Sequence, residues 1–172
     1  MERKSFQGMD CPMALALERV GEWWSILILR DATHGMTKFD EFEKSLGISP
    51  SSLSRRLGAL VHAGLLERRR YSERPPRDEY VLTQAGQALR PVLIALYQWG
   101  SEYCPPNEPT VRLIMNETGK DADPVFIDRE TGLPLDEEHT AFLAGPTASD
   151  QLRAVLARRA ATSTSAAARH AS

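Results

Sequence analysis

The spacing of hydrophobic and polar positions predicts a helix-rich domain over the first hundred residues of the chain. Apolar residues recur three or four positions apart in three segments, as expected for helices with one buried face; these are 11–21, 39–47 and 48–64. As a helix, residues 22–35 would have apolar side chains on nearly every face, which predicts a buried central helix. Together the four segments can supply one hydrophobic core.

Local signals mark where two of these helices begin. Ser49 can cap the fourth helix, and Pro50 suits its first helical position. Asp40 and Glu43 have the spacing of a capping box, which predicts the start of the third helix after a short extended piece at 36–38. Both signals favour helices in these segments.

Beyond residue 64 the apolar pattern changes from helical to alternating. Residues 67–71 and 78–82 are the predicted strands of a hairpin, and the prolines between them fall in the turn, where no backbone donor is needed. Thr83 then caps a long helix predicted over 84–103. Pro91 lies inside that helix and is predicted to kink it.

Charge and composition divide the chain into three predicted parts, although the formal net charge is only −2. Residues 1–103 carry 14 basic and 13 acidic groups and form the predicted main domain. Residues 104–149 carry 3 basic and 9 acidic groups, and their short apolar runs between Gly and Pro predict a small acidic β-rich appendage. Residues 150–172 are rich in Ala and Ser, and we expect a partly disordered tail.

A short helix, a tight turn, a polar-faced second helix and a basic hairpin, in that order, predict a mostly α fold with a small β-hairpin wing, the winged helix-turn-helix. The fourth helix fits the width of a DNA major groove, and the hairpin would reach the flanking backbone or minor groove. The candidate DNA-binding residues are hydroxyl and arginine side chains of these two elements: Ser49, Ser51, Ser52, Ser54, Arg55, Arg56, Arg68, Arg70, Arg74 and Arg77. Residues 55–77 hold seven Arg and two Glu, a local charge of +5. Most charge clusters are only solvated surfaces, and the preceding helix is what favours nucleic acid.

Strand geometry limits how many hairpin arginines can face DNA. Neighbouring residues on a strand point to opposite sides, so Arg68 and Arg70 share one face and Arg69 takes the other. At least one of the three is therefore predicted to serve packing or an ion pair. Arg74 and Arg77, beside the prolines of the tip, are best placed for the DNA backbone or minor groove.

In this order and spacing, four segments resemble the HxlR-type branch of winged-helix transcriptional regulators, which is related in architecture to the MarR group. The segments are CPMALALERVGEWWSILILRD, ISPSSLSRRLGALVHAGLLERR, PPRDEYVLTQAG and PVLIALYQWG, within about residues 11 to 100. The resemblance implies a homodimeric bacterial repressor or activator on a pseudo-palindromic operator of double-stranded DNA, with the first and last helices pairing across the dimer. The predicted dimer-interface residues are Met13, Leu17, Leu89, Val92, Leu93, Leu96 and Trp99. The width of the apolar stripe on the last helix supports dimerisation independently.

Two cysteines are too few for a disulfide scaffold and too far apart in sequence for a zinc knuckle. Cys11 directly precedes Pro12 and is predicted at the N-cap of the first helix, where the helix dipole favours the reactive thiolate. The resemblance implies a sensing thiol at this position, and a cysteine near Cys104 that in some relatives bonds the N-terminal one of the other subunit. We hypothesise that oxidation links Cys11 to Cys104 across the dimer or otherwise modifies Cys11. The alternative is that Cys11 only caps or packs and that Cys104 is incidental.

The remaining sequence features weigh against other classes of function. The four histidines have no metal-ligand spacing, and the appendage lacks the cysteine pairs that many relatives with a long C-terminal extension carry, so we predict no metal and no cofactor. No phosphate loop or nucleophile motif indicates an enzyme. No apolar run approaches the ~20 residues of a membrane span and no signal peptide is apparent, so we expect a cytoplasmic protein.

Two alternatives to a redox-responsive DNA-binding regulator stay open. The same fold could be switched by a small molecule bound between the central helix and the dimer helices, without cysteine chemistry. It could also be a winged-helix protein-interaction module without DNA binding, although the serines and arginines of the fourth helix and wing count against this.

Overall fold

The structure, a computed structural model, describes residues 6, 9, 11–104 and 110–157. Between residues 12 and 103 it contains six helices and one antiparallel hairpin. In chain order the elements are α1 Pro12–Val20, α2 Trp23–Thr33, α3 Phe39–Leu46, α4 Pro50–His62, β1 Leu66–Glu73, β2 Pro76–Leu82, α5 Gln84–Gln87 and α6 Arg90–Tyr103. The predicted fold, mostly helical with a small two-stranded wing, is confirmed. Within the described residues, no helix is both long and apolar enough to span a bilayer.

The hydrophobic core lies around α2, as its nearly uninterrupted apolar sequence predicts. Ile28 and Leu29 are completely buried there. The side chains packed with them come from α2 itself, from α1, α3 and α4, and from residues just before α4 and at the base of the hairpin: Val20, Ala32, Phe42, Ile48, Leu53, Leu57, Leu60, Leu65 and Leu66. Three leucines of α4 thus fix one face of that helix against the core and leave the other face to solvent.

The start of α3 differs from the predicted capping box of Asp40 and Glu43. The helix begins at Phe39, so its third position is Glu41, and the carboxylate of Glu41 accepts backbone N–H groups of Thr37 (2.9 Å) and Lys38 (3.0 Å). The prediction was wrong by two positions because Lys38, the last residue of the extended piece, is itself the N-cap, so that no residue separates that piece from the helix. That piece pairs with the hairpin instead, through a β-bridge between Lys38 and Glu79.

The long helix predicted over 84–103 is two helices. Thr83 caps α5 as predicted, accepting the N–H of Gly86 at 3.1 Å, but α5 ends at Gln87 and α6 begins at Arg90. Pro91 has no N–H to donate, and its ring would clash with the carbonyl four residues earlier. The chain therefore breaks before the proline, which lies in the first turn of α6 and does not kink a continuous helix.

Gly86 allows α5 to lie directly against the base of the hairpin. A β-carbon at this position would overlap the backbone carbonyl oxygen of Leu65 and lie 2.9 Å from Cδ2 of Leu82. Thr83 reinforces the same junction, because its hydroxyl donates to the carbonyl oxygen of Gly64 at 2.6 Å. The chain thus returns from the wing to the helical domain through a close backbone contact.

The chain forms two compact units, of which the first holds the described residues from 13 to 124 and the second holds Cys11, Pro12 and the described residues from Val125 onward, whereas the sequence predicted a boundary after residue 103. Residues 110–124 belong with the helical domain because α6 binds them. The hydroxyl of Tyr97 donates to the carbonyl oxygen of Val111, and the amide of Gln98 donates to that of Pro124, each at 3.0 Å.

The strands predicted within 104–149 are reduced to isolated bridges in the described residues. One bridge, in the first unit, joins Ile114 and Asp121, and another, in the second unit, joins Ile127 and Pro134. Each closes a turn that contains a glycine with positive φ. Of the tail predicted to be partly disordered, residues 150–157 are helical, and the rest lies outside the described residues.

Candidate nucleic-acid interface

The exposed face of α4 carries three of the predicted DNA-binding residues. Ser51, Ser54 and Arg55 are exposed and lie three or four residues apart, opposite the buried leucines. Ser49 caps the helix as predicted, accepting the N–H of Ser52 at 3.4 Å. Small hydroxyl side chains and one arginine thus form a narrow polar stripe of the kind that fits a major groove.

Arg56 does not lie on that stripe. It comes three residues after Leu53 and four before Leu60, at the edge of the buried face, and its side chain is only 12% exposed. Its guanidinium forms an ion pair with Glu22, which directly precedes α2. Arg56 therefore joins α4 to the start of α2, a role that its spacing from the leucines could have indicated.

The hairpin register places Arg68 and Arg70 on one face together with Asp78. Arg70 lies directly opposite Asp78, and Arg68 lies opposite Tyr80. Nε of Arg68 donates to Oδ2 of Asp78 at 2.8 Å, and Nε of Arg70 donates to Oδ1 at 3.0 Å. These two hydrogen bonds lower the pKa of Asp78 and raise the pKa of each arginine. Asp78 was not among the predicted site residues.

Arg69 points to the opposite face, where it pairs with Glu67 at 3.0 Å. All three consecutive arginines are thus in ion pairs, whereas the sequence predicted a packing or ion-pair role for at least one of them. Over residues 66–82 the hairpin has five Arg and four Asp or Glu, a net charge of +1. The local charge of +5 over 55–77 overstated the basicity of the wing because that window ends before Asp78 and Glu79.

The tip of the hairpin carries its arginines without such partners. Arg74 and Arg77 are exposed, and among the described residues no carboxylate lies within ion-pair distance of either. The turn holds a cis peptide between Arg74 and Pro75, and the hydroxyl of Ser72 donates to the carbonyl oxygen of Pro75 at 2.9 Å. The positive charge that is available to a phosphate therefore lies at the wing tip and on Arg55.

Most of the predicted dimer-interface residues are exposed in the single chain. The exposed ones are Met13, Leu17, Val92, Leu96 and Trp99, whereas Leu89 and Leu93 pack against the core. Two more exposed aromatic side chains are Trp23, the first residue of α2, which is 76% exposed, and Tyr103, whose ring centre lies 5.7 Å from that of Trp99. The exposed apolar surface thus includes the start of α2 and the end of α6 as well as the predicted residues.

The two cysteines are free thiols that flank the helical domain. Cys11 is partly exposed and directly precedes the first residue of α1, while Cys104 is exposed and directly follows α6. In the part of the chain that the structure describes, no three His, Cys, Asp or Glu side chains are grouped to hold a metal ion. An open cleft of about 380 Å³ lies between α1, α2 and α4, beside the central helix and one of the two predicted dimer helices.

Comparisons with known proteins agree with this arrangement. The model of the HxlR-like helix-turn-helix family matches residues 19–108. An uncharacterised HTH-type transcriptional regulator of Mycobacterium tuberculosis, Rv3095, is 43% identical over 143 residues, which cover 83% of this chain and 88% of that protein. The solved structure of PA1607, described as a proposed transcription factor, is 38% identical with a TM-score of 0.73, covering 81% of this chain and 98% of that one. The redox regulator HypR in its reduced form is 28% identical with a TM-score of 0.51, covering 54% of this chain and 92% of that one.

Proposed function

This chain belongs to the HxlR-like helix-turn-helix family of transcriptional regulators, and on that basis we propose that it binds specific DNA sequences as a homodimer and responds to oxidants or electrophiles through Cys11. The prediction that it is not an enzyme is confirmed by these relatives. The observation that carries the proposal is the division of α4 into a face of buried leucines and an exposed stripe of Ser51, Ser54 and Arg55.

In the proposed complex, α4 enters the major groove and the wing tip contacts the flanking backbone or minor groove. Ser51 and Ser54 are short enough to let the helix approach base edges, and Arg55 can donate to a base or a phosphate. Arg74 and Arg77 supply phosphate contacts from the tip. Arg56 is better assigned to holding α4 against α2, because Glu22 already occupies its guanidinium.

Homodimerisation is supported by the apolar residues that the single chain leaves exposed on α1 and α6. Val92, Leu96 and Trp99 recur three or four residues apart on α6, and each is at least half exposed. A regular apolar stripe of this kind requires a partner surface. A second copy of the chain would cover it and would place two α4 helices for the two half-sites of an operator.

Redox sensing is supported by the position of Cys11 before a helix and by its partial exposure. The relative HypR is described as a redox regulator, which favours thiol chemistry over the small-molecule alternative. Cys104 is exposed and accessible to a second thiol, so the disulfide between Cys11 of one subunit and Cys104 of the other remains our hypothesis. If Cys11 only caps the helix, the protein will be insensitive to oxidants.

The proposal is tested by selecting genomic fragments with the reduced protein and repeating the selection after diamide treatment. We expect a small set of fragments that share an inverted repeat, and their loss or exchange after oxidation. Binding of the selected duplex should weaken steeply with salt, since phosphate contacts release counterions. Affinity that is independent of salt and sequence would instead favour a protein-interaction module.

A further inference from the structure

We propose that Asp78 is a specificity-determining residue, which holds Arg68 and Arg70 in a charge-balanced cluster and thereby limits the affinity of the protein for DNA of any sequence. This inference rests on the proposed function, because it assumes that the wing lies close to DNA. Asp78 places a negative charge within the positively charged surface that is proposed to bind DNA.

The geometry of the cluster shows how one carboxylate occupies two guanidinium groups. Each oxygen of Asp78 accepts the Nε–H of a different arginine, at 2.8 Å for Arg68 and 3.0 Å for Arg70. The side chain of Asp78 is only 15% exposed, while those of Arg68 and Arg70 are 57% and 45% exposed. The carboxylate is therefore enclosed by the two arginines, and its charge acts at the surface that they present.

This arrangement changes how many phosphates the wing can neutralise. Two arginines alone would give this cluster a charge of +2. Asp78 removes one positive charge, and Glu73, whose carboxylate lies 3.7 Å from Nη1 of Arg70, removes the other. The affinity of a protein for DNA of any sequence grows with the number of phosphates that its cationic groups neutralise. Asp78 thus removes about one such interaction from the wing.

Specificity follows because biological selectivity depends on the ratio of specific to non-specific affinity. The exposed stripe of α4 would supply contacts to base edges, and these do not involve Asp78. A reduced phosphate attraction at the wing lowers non-specific binding without removing any base contact. The protein would therefore spend less time on unrelated DNA.

The other face of the hairpin offers a matched control. Glu67 forms an ion pair with Arg69 there, at 3.0 Å, and both side chains are about half exposed. Glu67→Gln and Asp78→Asn change the net charge of the hairpin by the same amount with nearly isosteric side chains. Asp78→Asn removes a carboxylate that two arginines share, whereas Glu67→Gln removes the partner of one arginine.

The test measures binding of a short fluorescein-labelled duplex of mixed sequence by anisotropy, between about 50 and 200 mM salt. For Asp78→Asn we expect affinity about fivefold higher than wild type at low salt, the effect of about one additional charge pair at 4 Å in water. The slope of log affinity against log salt should steepen by about 1. Glu67→Gln should give less than half of either change.

Equal effects of Asp78→Asn and Glu67→Gln would overturn the inference, because general charge would then explain both. Unchanged or weaker binding by a folded Asp78→Asn variant would also overturn it, since the carboxylate would then only position the arginines. Thermal unfolding establishes that the variant is folded, and Asp78→Ser carries the same expectation if Asp78→Asn is not. Wild-type protein without salt-dependent binding would instead refute the proposed function.

Discussion

Two adjacent arginines of α4, Arg55 and Arg56, should have separable effects when each is replaced by alanine. Arg55 is exposed and, among the described residues, has no carboxylate within ion-pair distance, whereas Arg56 is 88% buried by its surroundings and paired with Glu22. We expect Arg55→Ala to weaken DNA binding and leave stability unchanged. We expect Arg56→Ala to destabilise the fold and leave the salt dependence of binding unchanged.

The magnitudes follow from exposure and partners. Exposed ion pairs contribute about 0 to 1 kcal/mol, and removing one partner of a fully buried pair costs about 3 to 5 kcal/mol. Glu22 is 45% exposed and can be rehydrated when Arg56 is removed, so the cost of Arg56→Ala should be about 1 to 2 kcal/mol, including lost packing of its stem. Arg55→Ala should change stability by less than about 0.5 kcal/mol and reduce the salt slope by about 1.

Urea unfolding followed by circular dichroism, at one fixed protein concentration, measures the stability of each variant. Anisotropy with a labelled duplex, at several salt concentrations, measures the slope of log affinity against log salt concentration. The double variant of Arg56→Ala with Glu22→Gln should be less destabilised than the sum of the single variants, because the two residues share one interaction. If the Arg56→Ala variant keeps wild-type stability but its DNA binding depends less steeply on salt, Arg56 contacts phosphate and our assignment of the two arginines is wrong.

Three further predictions concern stability, redox response and assembly. Gly86→Ala should destabilise the protein by about 1 to 3 kcal/mol through overlap with the Leu65 carbonyl, whereas Gly58→Ala, with open space around it in α4, should stabilise it by about 0.5 to 1 kcal/mol in the same urea titration. Non-reducing gels after diamide treatment should show a dimer-sized band for the wild type and none for Cys11→Ser. A monomer-sized band in both would refute the hypothesis of an intersubunit disulfide. Light scattering should find a dimer for the wild type and a monomer for Leu96→Glu; a dimeric variant would place the interface elsewhere.

Most helices and the wing could be predicted because their signals lie close together in sequence. The Ser49 cap, Pro50 and three leucines define α4 within a dozen residues. Proline was harder to interpret. Pro91 signalled a disturbance of the helix, but a proline can either kink a helix or end it, and the sequence did not indicate that α5 ends at Gln87.

The charged residues of the site were less predictable for a related reason. A side chain's charge is evident in the sequence, but its partner is set by register and packing. Asp78 neutralises Arg70 because the strands align them, and Glu22 neutralises Arg56 across 34 positions of the chain. Charge totals over a window therefore overestimate the positive surface, since they omit the opposing strand.

The attachment of the wing suggests how relatives of this protein could change the length of DNA that they cover. The hairpin is anchored at its base, where Leu66 pairs with Leu82, and at its side, where the N–H of Tyr80 donates to the carbonyl oxygen of Thr37 at 2.7 Å. Neither anchor involves the tip. Residues could be inserted or deleted near Arg74 without moving α4, so the reach of the wing can evolve independently of the bases that the helix reads.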